Sequence, residues 1–330
     1  MTNPLTLQAV EQAATRIAPY VVRTPLLSSP MLDEAASCKV FVKAEPLQNT
    51  GAFKLRGALN LMLSLSPQQL ASGVITYSAG NHAQAVAAAA KLLGCKAQVV
   101  MPQHAPAIKK DSCRWWGADV VLYDAATEDR QSVLDQLMTD GQTFIPPFDH
   151  LDIMAGQGTI GLEIASQLAE LGQVPDAVIV SCSGGGVSSG VITALQALHP
   201  QLHGYIAEAQ GWEKMALSLK AASPQPPPAP QPTLMDGISG PTAGRLPLAA
   251  LLACSNLHTL SISEQQARQG VSAAFRWLKL VSEPAGAAAL GGLLSGRPEL
   301  RDKTVVVVCS GGNVDPDVFA TCLAEMPAQN

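Results

Sequence analysis

The sequence predicts an α/β protein with two lobes, each an open, mostly parallel sheet that is flanked by helices. Its 330 residues are enough for two lobes with buried cores. Short runs rich in β-branched residues alternate with longer runs rich in alanine and leucine. The strand runs are apolar almost throughout, which is typical of parallel sheets that are covered on both faces.

The predicted elements follow one another as strand, helix, strand, helix. The predicted strands, in chain order, are 74–77, 97–101, 120–123, 177–180 and 304–308. The segments predicted to be helical are 81–93, 105–116, 129–139, 187–198 and a last one from about 313. Because ligands of such sheets bind beyond the carboxyl ends of the strands, the loops there are the places to look for a site.

Two interruptions divide the chain. The segment 144–149, with two adjacent prolines, ends the first strand–helix series and predicts a hinge. We therefore assign 73–148 to a small, substrate-side domain and 1–72 together with 149–330 to a large domain. The proline-rich run 223–232 cannot be a helix or a central strand and predicts an exposed, stiff loop. A ligand for the aromatic groove of a partner is the alternative for this run.

Composition narrows the classes of function. Apolar residues make up 47% of the chain and charged residues 14%, as in ordinary folded proteins. The net charge of -5 leaves no basic footprint, so no nucleic-acid partner is expected. No apolar run reaches the roughly 18 residues that a membrane span needs, and the first thirty residues do not have the pattern of a secretion signal. Seven scattered cysteines favour a reducing, cytoplasmic location.

One lysine occupies a distinctive place at a loop-to-helix junction. Lys54 directly follows Phe53 in a stretch that continues with Arg56, Gly57 and Ala58. A lysine near apolar surface loses hydration, which favours the neutral amine, and a neutral amine can attack an aldehyde to form a Schiff base. Taken alone, such a lysine is more often an ordinary surface residue. Motifs elsewhere in the chain are therefore needed to choose between a surface lysine and a Schiff-base lysine.

A glycine-rich turn follows the strand at 177–180. The run 183–187, Ser-Gly-Gly-Gly-Val, opens the next helix. Successive glycines let backbone amides approach an anion closely, and the helix N-terminus favours negative charge. We interpret 183–187 as a phosphate cradle. Dinucleotide binding is the alternative, with Glu208 as the ribose acceptor, although Gly190 falls one residue late for that fingerprint.

Two further strand ends lead into polar turns. The turn 309–312 repeats the Cys-Ser-Gly-Gly of 182–185, and its Ser310 offers a neutral hydroxyl to a ring nitrogen. The 78–82 turn has free amides and a hydroxyl that suit a carboxylate, with a plain helix cap as the alternative. The cysteines of the Cys-Ser-Gly-Gly turns are expected to be small buried hydrophobic residues. The sequence has no typical metal-ligand spacing.

Together these motifs resemble one known family. The motifs, in chain order, are 53–58, 78–82, 155–159, 183–186, 283–286 and 310–313. Over nearly the whole chain the sequence resembles the fold-type II pyridoxal-phosphate enzymes, whose fold is like that of the tryptophan synthase β subunit. Its branch contains threonine/serine dehydratases, serine racemase and 3-hydroxyaspartate dehydratases. The resemblance implies pyridoxal 5′-phosphate as the cofactor, bound by the large domain, a small amino acid as substrate, and a homodimer.

The resemblance also implies roles for individual residues. Lys54 would bind the cofactor covalently and exchange the Cα proton, which makes it the predicted catalytic residue. The other cofactor contacts would be Phe53, Asn81, Ser183, Gly184, Gly185, Gly186, Val187, Gly237, Glu283 and Ser310. The substrate contacts would be Ser78, Ala79, Asn81, His82 and Arg130.

Departures from the family pattern sharpen the expected reaction. Ala79 stands where racemases have a serine that donates a proton on the opposite face, so elimination is favoured over racemisation. Lys214 stands where an aspartate would join Glu208 in a cation site, so no metal is expected. Ser310, in place of an aspartate, does not favour a protonated ring nitrogen, so expulsion of a β-hydroxyl is the natural outcome.

The expected activity is that of an ammonia-lyase, a dehydratase that converts an L-β-hydroxy amino acid into a 2-oxo acid and ammonia. Threonine or serine is the first expectation for the substrate and threo-3-hydroxyaspartate the second. Arg130 matches a position where some relatives have an arginine that faces a second carboxylate; an exposed arginine in a first helical turn is the alternative. A racemase-like enzyme, a nicotinamide-linked oxidoreductase and a non-catalytic small-molecule binder stay open as competing functions.

Overall fold

The protein, seen here in a computed structural model, is built on two sheets with helices on both faces. The structure describes residues 3–105, 107–138 and 141–326. The strands are β1 (Leu26–Leu27), β2 (Lys39–Ala44), β3 (Val74–Tyr77), β4 (Ala97–Pro102), β5 (Asp119–Tyr123), β6 (Thr143–Phe144), β7 (Ala177–Ser181), β8 (His203–Ala209), β9 (Leu257–Ile262) and β10 (Thr304–Cys309).

The helices fall mostly between these strands, as the alternation in the sequence predicts. They are α1 (Leu7–Ile17), α2 (Pro30–Ala36), α3 (Lys54–Leu63), α4 (Pro67–Ser72), α5 (Asn81–Leu93), α6 (Ala107–Trp115), α7 (Arg130–Leu137), α8 (Leu151–Glu170), α9 (Gly186–Leu198), α10 (Lys214–Ala221), α11 (Arg245–Leu252), α12 (Glu264–Leu278), α13 (Pro284–Leu294) and α14 (Pro316–Leu323). Short 3-10 turns add Glu45–Leu47, Asp236–Ile238 and Pro298–Leu300.

The two sheets confirm the predicted fold class. Within the described residues, one sheet has six strands in the order β1-β2-β10-β7-β8-β9, and the other has four in the order β5-β4-β3-β6. Among the strand pairings of the described residues, only that of β1 with β2 is antiparallel. We call the four-stranded sheet with α5, α6 and α7 the small lobe, and the six-stranded sheet with its helices the large lobe. The domain boundaries at 72/73 and 148/149 stay a prediction.

The register of the large sheet brings two similar turns together. Strand β10 lies between β2 and β7, and Val308 pairs with Val180 of β7. The turns that follow these two strands therefore emerge side by side at the carboxyl edge of the sheet. Residues 305–308 of β10 are fully buried, as expected for a central parallel strand that is covered on both faces.

Helix α3 is held by a buried network of charges. Arg56 donates from Nε to Glu45 Oε2 at 2.9 Å and from Nη1 to Glu163 Oε1 at 2.6 Å, and Lys43 Nζ lies 2.6 Å from Glu163 Oε2. Arg56, Glu45 and Lys43 are fully buried, so each needs the partners that it has. The network ties the helix that starts at Lys54 to β2 and α8.

Some element boundaries differ from the predicted ones for local reasons. Helix α7 begins at Arg130, because the Asp129 side chain accepts a hydrogen bond from the backbone N–H of Ser132 and caps the helix. The last helix begins at Pro316 and not near 313, since proline suits the first helical position. The run 223–232 is a largely exposed loop after α10, as predicted.

Two further observations concern the chain as a whole. All seven cysteines are free thiols, as expected from their scattered positions. In the described part of the chain, no helix combines the length and the apolar character that crossing a membrane requires.

Candidate active site

Lys54 lies in a half-buried setting at the first position of α3. Its Nζ donates to the carbonyl oxygen of Pro147 at 2.6 Å and stands 5.2 Å from the centroid of the Phe53 ring. Burial lowers the pKa of Lys54 from 10.5 to about 8. A substantial share of the amine is therefore neutral near pH 8, which is the form that attacks a carbonyl carbon.

The glycine-rich run 183–187 forms the predicted turn between β7 and α9. Gly185 caps α9 with a φ of 92°, a left-handed conformation that favours glycine. A Cβ at Gly184 would stand 2.4 Å from the Phe148 ring, so a larger residue does not fit there. The first-turn N–H groups of α9 point out of the helix end, as an anion site requires.

The segment 144–149, which the sequence predicts to be a hinge and which we call the hinge segment, contacts both the lysine and the cradle. Pro147 accepts the hydrogen bond from the Lys54 amine, and the next residue, Phe148, packs against Gly184 and Gly186. The segment 144–149 therefore contacts both parts of the site. Neither contact was predicted from the sequence, where the two prolines indicated only an interruption.

Ser310 lies beside Phe53, as the predicted site requires. The backbone N–H of Phe53 donates to the carbonyl oxygen of Ser310 at 3.1 Å, and Ser310 N–H donates to Gly286 at 3.2 Å. Ser310 is 6% exposed, and the main-chain groups of this residue are engaged in the two hydrogen bonds just given. Its hydroxyl can donate to or accept from a ligand atom such as a ring nitrogen.

Asn81 and Glu283 meet across the site. Asn81 donates from Nδ2 to Glu283 Oε1 at 2.6 Å and accepts at Oδ1 from Asn313 Nδ2 at 2.8 Å. Burial, and then the charge of Asp236, raise the pKa of Glu283 to about 7. Gly237 lies next to α13, where an added Cβ would be 3.1 Å from that of Ala285. The predicted residues Asn81, Glu283 and Gly237 are thus brought together.

The 78–82 turn presents its backbone more than its side chains. The Ser78 hydroxyl accepts a hydrogen bond from Gly80 N–H at 3.1 Å. The buried His82 ring donates from Nε2 to the carbonyl oxygen of Ile145 at 3.0 Å. Burial, followed by the charge of Lys54, lowers the pKa of His82 to about 3. His82 therefore stays neutral, and its backbone N–H is the group left for a carboxylate.

Arg130 lies close to the 78–82 turn, and its role toward a second carboxylate stays a prediction. It is an exposed residue in the first turn of α7, and its guanidinium lies 3.8 Å from the centroid of the Tyr77 ring. Tyr77 ends β3 and immediately precedes the 78–82 turn. The guanidinium therefore stands over the residue that leads into this turn, while the neighbouring Ala79 is exposed.

Sequence reasoning missed Lys109 and Asp236. Lys109 Nζ lies 2.7 Å from Asp236 Oδ2, although the two residues are 127 positions apart in the chain. Lys109 is only 7% exposed. Two adjacent lysines on a helix normally lie on its solvent-exposed face. The local sequence therefore does not indicate that Lys109 is buried and pairs with Asp236.

Glu208 contacts the start of α10 through its carboxylate. Its two carboxylate oxygens accept hydrogen bonds from the backbone N–H groups of Met215 and Ala216, each at 2.8 Å. Both oxygens are engaged at the start of α10 and Glu208 is fully buried, which argues against the ribose-acceptor alternative. Lys214 Nζ lies 3.3 Å from the carbonyl oxygen of Ile238, and the described residues contain no group of three or more typical metal-ligating side chains.

The cysteines of the two repeated turns are unsuited to nucleophilic chemistry. Cys182 and Cys309 are fully buried, and burial raises the pKa of each thiol to about 12. At neutral pH both are protonated and weakly nucleophilic. They fill space at the strand ends, as predicted.

The arrangement fits pyridoxal 5′-phosphate. Lys54 offers an amine for its aldehyde, the cradle offers backbone amides for its phosphate, and the Ser310 hydroxyl can pair with its ring nitrogen. The three groups are linked by direct contacts, through Phe53 and through the hinge segment.

Comparisons with known proteins agree with this geometry. The family model described as "Pyridoxal-phosphate dependent enzyme" matches residues 17–311. The chain is 37% identical over 317 residues to an L-threo-3-hydroxyaspartate ammonia-lyase of Saccharomyces cerevisiae, covering 96% of this chain and 95% of that protein. It is 36% identical to a serine racemase of Arabidopsis thaliana, covering 93% and 92% of the two chains.

A solved structure adds the fold. The threonine deaminase of tomato, Solanum lycopersicum, in the processed form of its isoform 2, superposes with a TM-score of 0.86 at 30% identity, covering 98% of this chain and 96% of that chain. With these matches over most of the sequence, the chain belongs to the family of pyridoxal-phosphate-dependent enzymes, in their fold type II and in the group of dehydratases and racemases.

Proposed function

We propose that this enzyme is an ammonia-lyase that converts an L-β-hydroxy amino acid into a 2-oxo acid and ammonia. The observation that supports it is the one-sided placement of the proton-transfer chemistry. Lys54 has an amine whose pKa is lowered to about 8, whereas Ala79, on the 78–82 turn, has no proton to give. Racemisation needs a donor on each face of Cα, and elimination needs a base on one.

The proposed mechanism divides the work between cofactor and protein. Bound pyridoxal phosphate supplies the aldehyde that receives the substrate amine and a conjugated ring that takes up electrons from Cα. Lys54 Nζ, when neutral, removes the Cα proton and can pass it to the β-hydroxyl, which leaves as water. The dehydrated product then takes up water and releases ammonia, which gives the 2-oxo acid. The first-turn N–H groups of α5 orient the substrate carboxylate, and Asn81 is held rigid by Glu283 and Asn313 while this happens.

Threonine and serine are the first proposed substrates. Each has one carboxylate, which the 78–82 turn can receive without a second cation. The likeness to the threonine deaminase of Solanum lycopersicum supports this choice. The second candidate is threo-3-hydroxyaspartate, supported by the Arg130 guanidinium over Tyr77 and by the relatives from Saccharomyces cerevisiae and Pseudomonas sp.

One set of assays tests the reaction. Purified enzyme is given L-threonine, L-serine and the threo and erythro forms of 3-hydroxyaspartate, and 2-oxo acid and ammonia are measured together. We expect equal amounts of both products and borohydride-dependent fixation of the cofactor at Lys54. A protein that fixes the cofactor at Lys54 but releases neither product from any of these substrates would contradict the proposed reaction.

Arg130→Ala decides between the two classes of substrate. If hydroxyaspartate is the preferred substrate, we expect its kcat/KM to fall by about 10-fold or more, since a charged hydrogen bond is lost, while threonine turnover is unchanged. Arg114→Ala is the matched control, because Arg114 is an exposed helical arginine of the same lobe that pairs only locally, with Asp111. Unaltered hydroxyaspartate turnover in Arg130→Ala would exclude the second-carboxylate role.

A further inference from the structure

The Lys109–Asp236 ion pair connects the two lobes at the site. Lys109 lies on α6 in the small lobe, and Asp236 opens a 3-10 turn in the large lobe. Their charged atoms are 2.7 Å apart, with the Lys109 side chain 9% exposed and the Asp236 side chain 59% exposed. A nearly buried ammonium thus reaches across to a carboxylate at the surface.

The carboxylates that raise the pKa of Lys109 most belong to the large lobe. Burial lowers the pKa of Lys109, but the charge and hydrogen bond of Asp236, followed by the charges of Glu283 and Asp315, outweigh it, and the pKa lies above 10.5. These acidic side chains stabilise the ammonium. Separation of the lobes would leave a desolvated cation without its partners, which is costly.

The Lys109 ammonium also lies between the 78–82 turn, proposed to bind the substrate carboxylate, and the segment that contacts the phosphate cradle. Lys109 Nζ is 3.8 Å from the position that a Cβ on Gly80 would occupy, in the 78–82 turn. On the other side, the segment 236–240 runs from Asp236 to Gly240, whose N–H donates to Ser183 Oγ of the cradle at 3.2 Å. A short chain of contacts therefore leads from the 78–82 turn, through Lys109 and Asp236, to the cradle.

We propose that Lys109 and Asp236 form a latch between the lobes that fixes the position of the 78–82 turn relative to the phosphate cradle. Both are positioning residues, since they act through the turn and the segment 236–240. With the latch closed, the backbone amides for the substrate carboxylate and those for the cofactor phosphate belong to one rigid frame. With the latch broken, the small lobe is free to move and the two sets of amides lose their alignment.

Amide hydrogen exchange of the cofactor-loaded enzyme, without substrate, tests the latch directly. Lys109→Met keeps most of the apolar stem and removes the charge. We expect exchange in peptides that cover 78–82 and 236–240 to rise by about 5-fold or more, as for the loss of a partly buried ion pair. Lys110→Met is the matched control, since Lys110 donates to Gln103 within the small lobe, and it should leave both peptides unchanged.

A charge exchange separates a latch from a generally stabilising contact. We expect Lys109→Glu and Asp236→Lys, each alone, to lower kcat/KM about 10-fold or more, and the double variant to recover to within about 3-fold of the original enzyme. The loss should appear mainly in KM, because a misplaced turn weakens carboxylate binding. A double variant as impaired as the worse single variant would overturn the proposal.

The two experiments fail independently. The kinetic comparison rests on the proposed function, whereas the exchange experiment needs no substrate. Unchanged exchange at 78–82 and 236–240 in Lys109→Met would overturn the latch whatever the enzyme acts on. If Lys109→Met does not fold, Asp236→Asn breaks the same pair from its exposed side, and the same exchange criterion applies to it.

Discussion

At the scale of single residues, the site is shaped by burial of groups that carry protons. Lys54, His82 and Glu283 all have pKa values moved toward their neutral forms, to about 8, 3 and 7. In each case the first cause is the removal of water, which solvates the charged form best. Such a site suits chemistry in which a neutral amine takes a proton from carbon, because few permanent charges compete with it.

Glu283 leads to a prediction about stability and pH. Its pKa of about 7 lies above its ordinary value of 4.5, so the folded protein holds a proton that the unfolded chain releases. The stability from this group is present below pH 4.5 and is lost as the pH rises through 7. Glu283→Gln should therefore reduce the fall in unfolding free energy over this window, by at most about 3 kcal/mol.

Urea unfolding of the cofactor-free protein at both ends of this pH window measures the effect. The glutamine keeps an acceptor for the Asn81 amide, so the hydrogen bond at that position survives the change. Glu170→Gln, at an exposed ion pair with Arg23, is the control for removal of a surface carboxylate. An identical pH dependence in Glu283→Gln and the unmodified protein would contradict the prediction.

At the scale of elements, the turn between β7 and α9 is fitted closely to the hinge segment. A Cβ at Gly184 would meet three atoms of the Phe148 ring at 2.4 to 2.5 Å. Gly184→Ala should therefore push the cradle and Phe148 apart, destabilise the protein by about 1–3 kcal/mol and weaken cofactor binding by about 10-fold or more. Absorbance titration of the cofactor-free protein with pyridoxal phosphate measures the affinity.

The steric cause of that effect has its own test. Phe148→Ala in the same chain removes the ring that the new methyl group meets, and the double variant should regain part of the lost affinity. If the two substitutions simply add, the methyl group acts by another route and the close fit between the cradle and Phe148 is not the reason for the glycine.

Helix α3 gives a second prediction at this scale. Arg56→Met would leave the fully buried Glu45 without its main partner and remove one partner of Glu163, so we expect a loss of about 3–5 kcal/mol in unfolding free energy. Arg23→Met is the matched control, since its pair with Glu170 is exposed and should cost about 1 kcal/mol or less. Equal losses in the two variants, measured by urea unfolding, would show that the buried network does not anchor α3.

At the scale of the whole molecule, the sequence predicts those features that are determined by residues close to one another along the chain. The apolar strands, the helices between them and the turns at 78–82, 183–187 and 309–312 follow from local composition, and the structure brings these turns to one region. The sequence does not predict contacts that are determined by how the two lobes pack together. Lys109 contacts Asp236, which lies 127 positions away in the chain, and Lys54 contacts Pro147, which lies 93 positions away. No local sequence pattern indicates either contact.

The large sheet also fixes the distance between the turns that follow β7 and β10. Neighbouring strands stand about 4.8 Å apart, and Val308 of β10 pairs with Val180 of β7, so the Cys-Ser-Gly-Gly turn after β10 begins one residue earlier in the register than the turn after β7. One extra residue at the end of either strand would move its turn by about 3.3 Å relative to the other, more than a hydrogen bond tolerates. The distance between the cradle that would hold an anionic group and the Ser310 hydroxyl that would face a ring nitrogen is thus set mainly by the register of the two backbone strands.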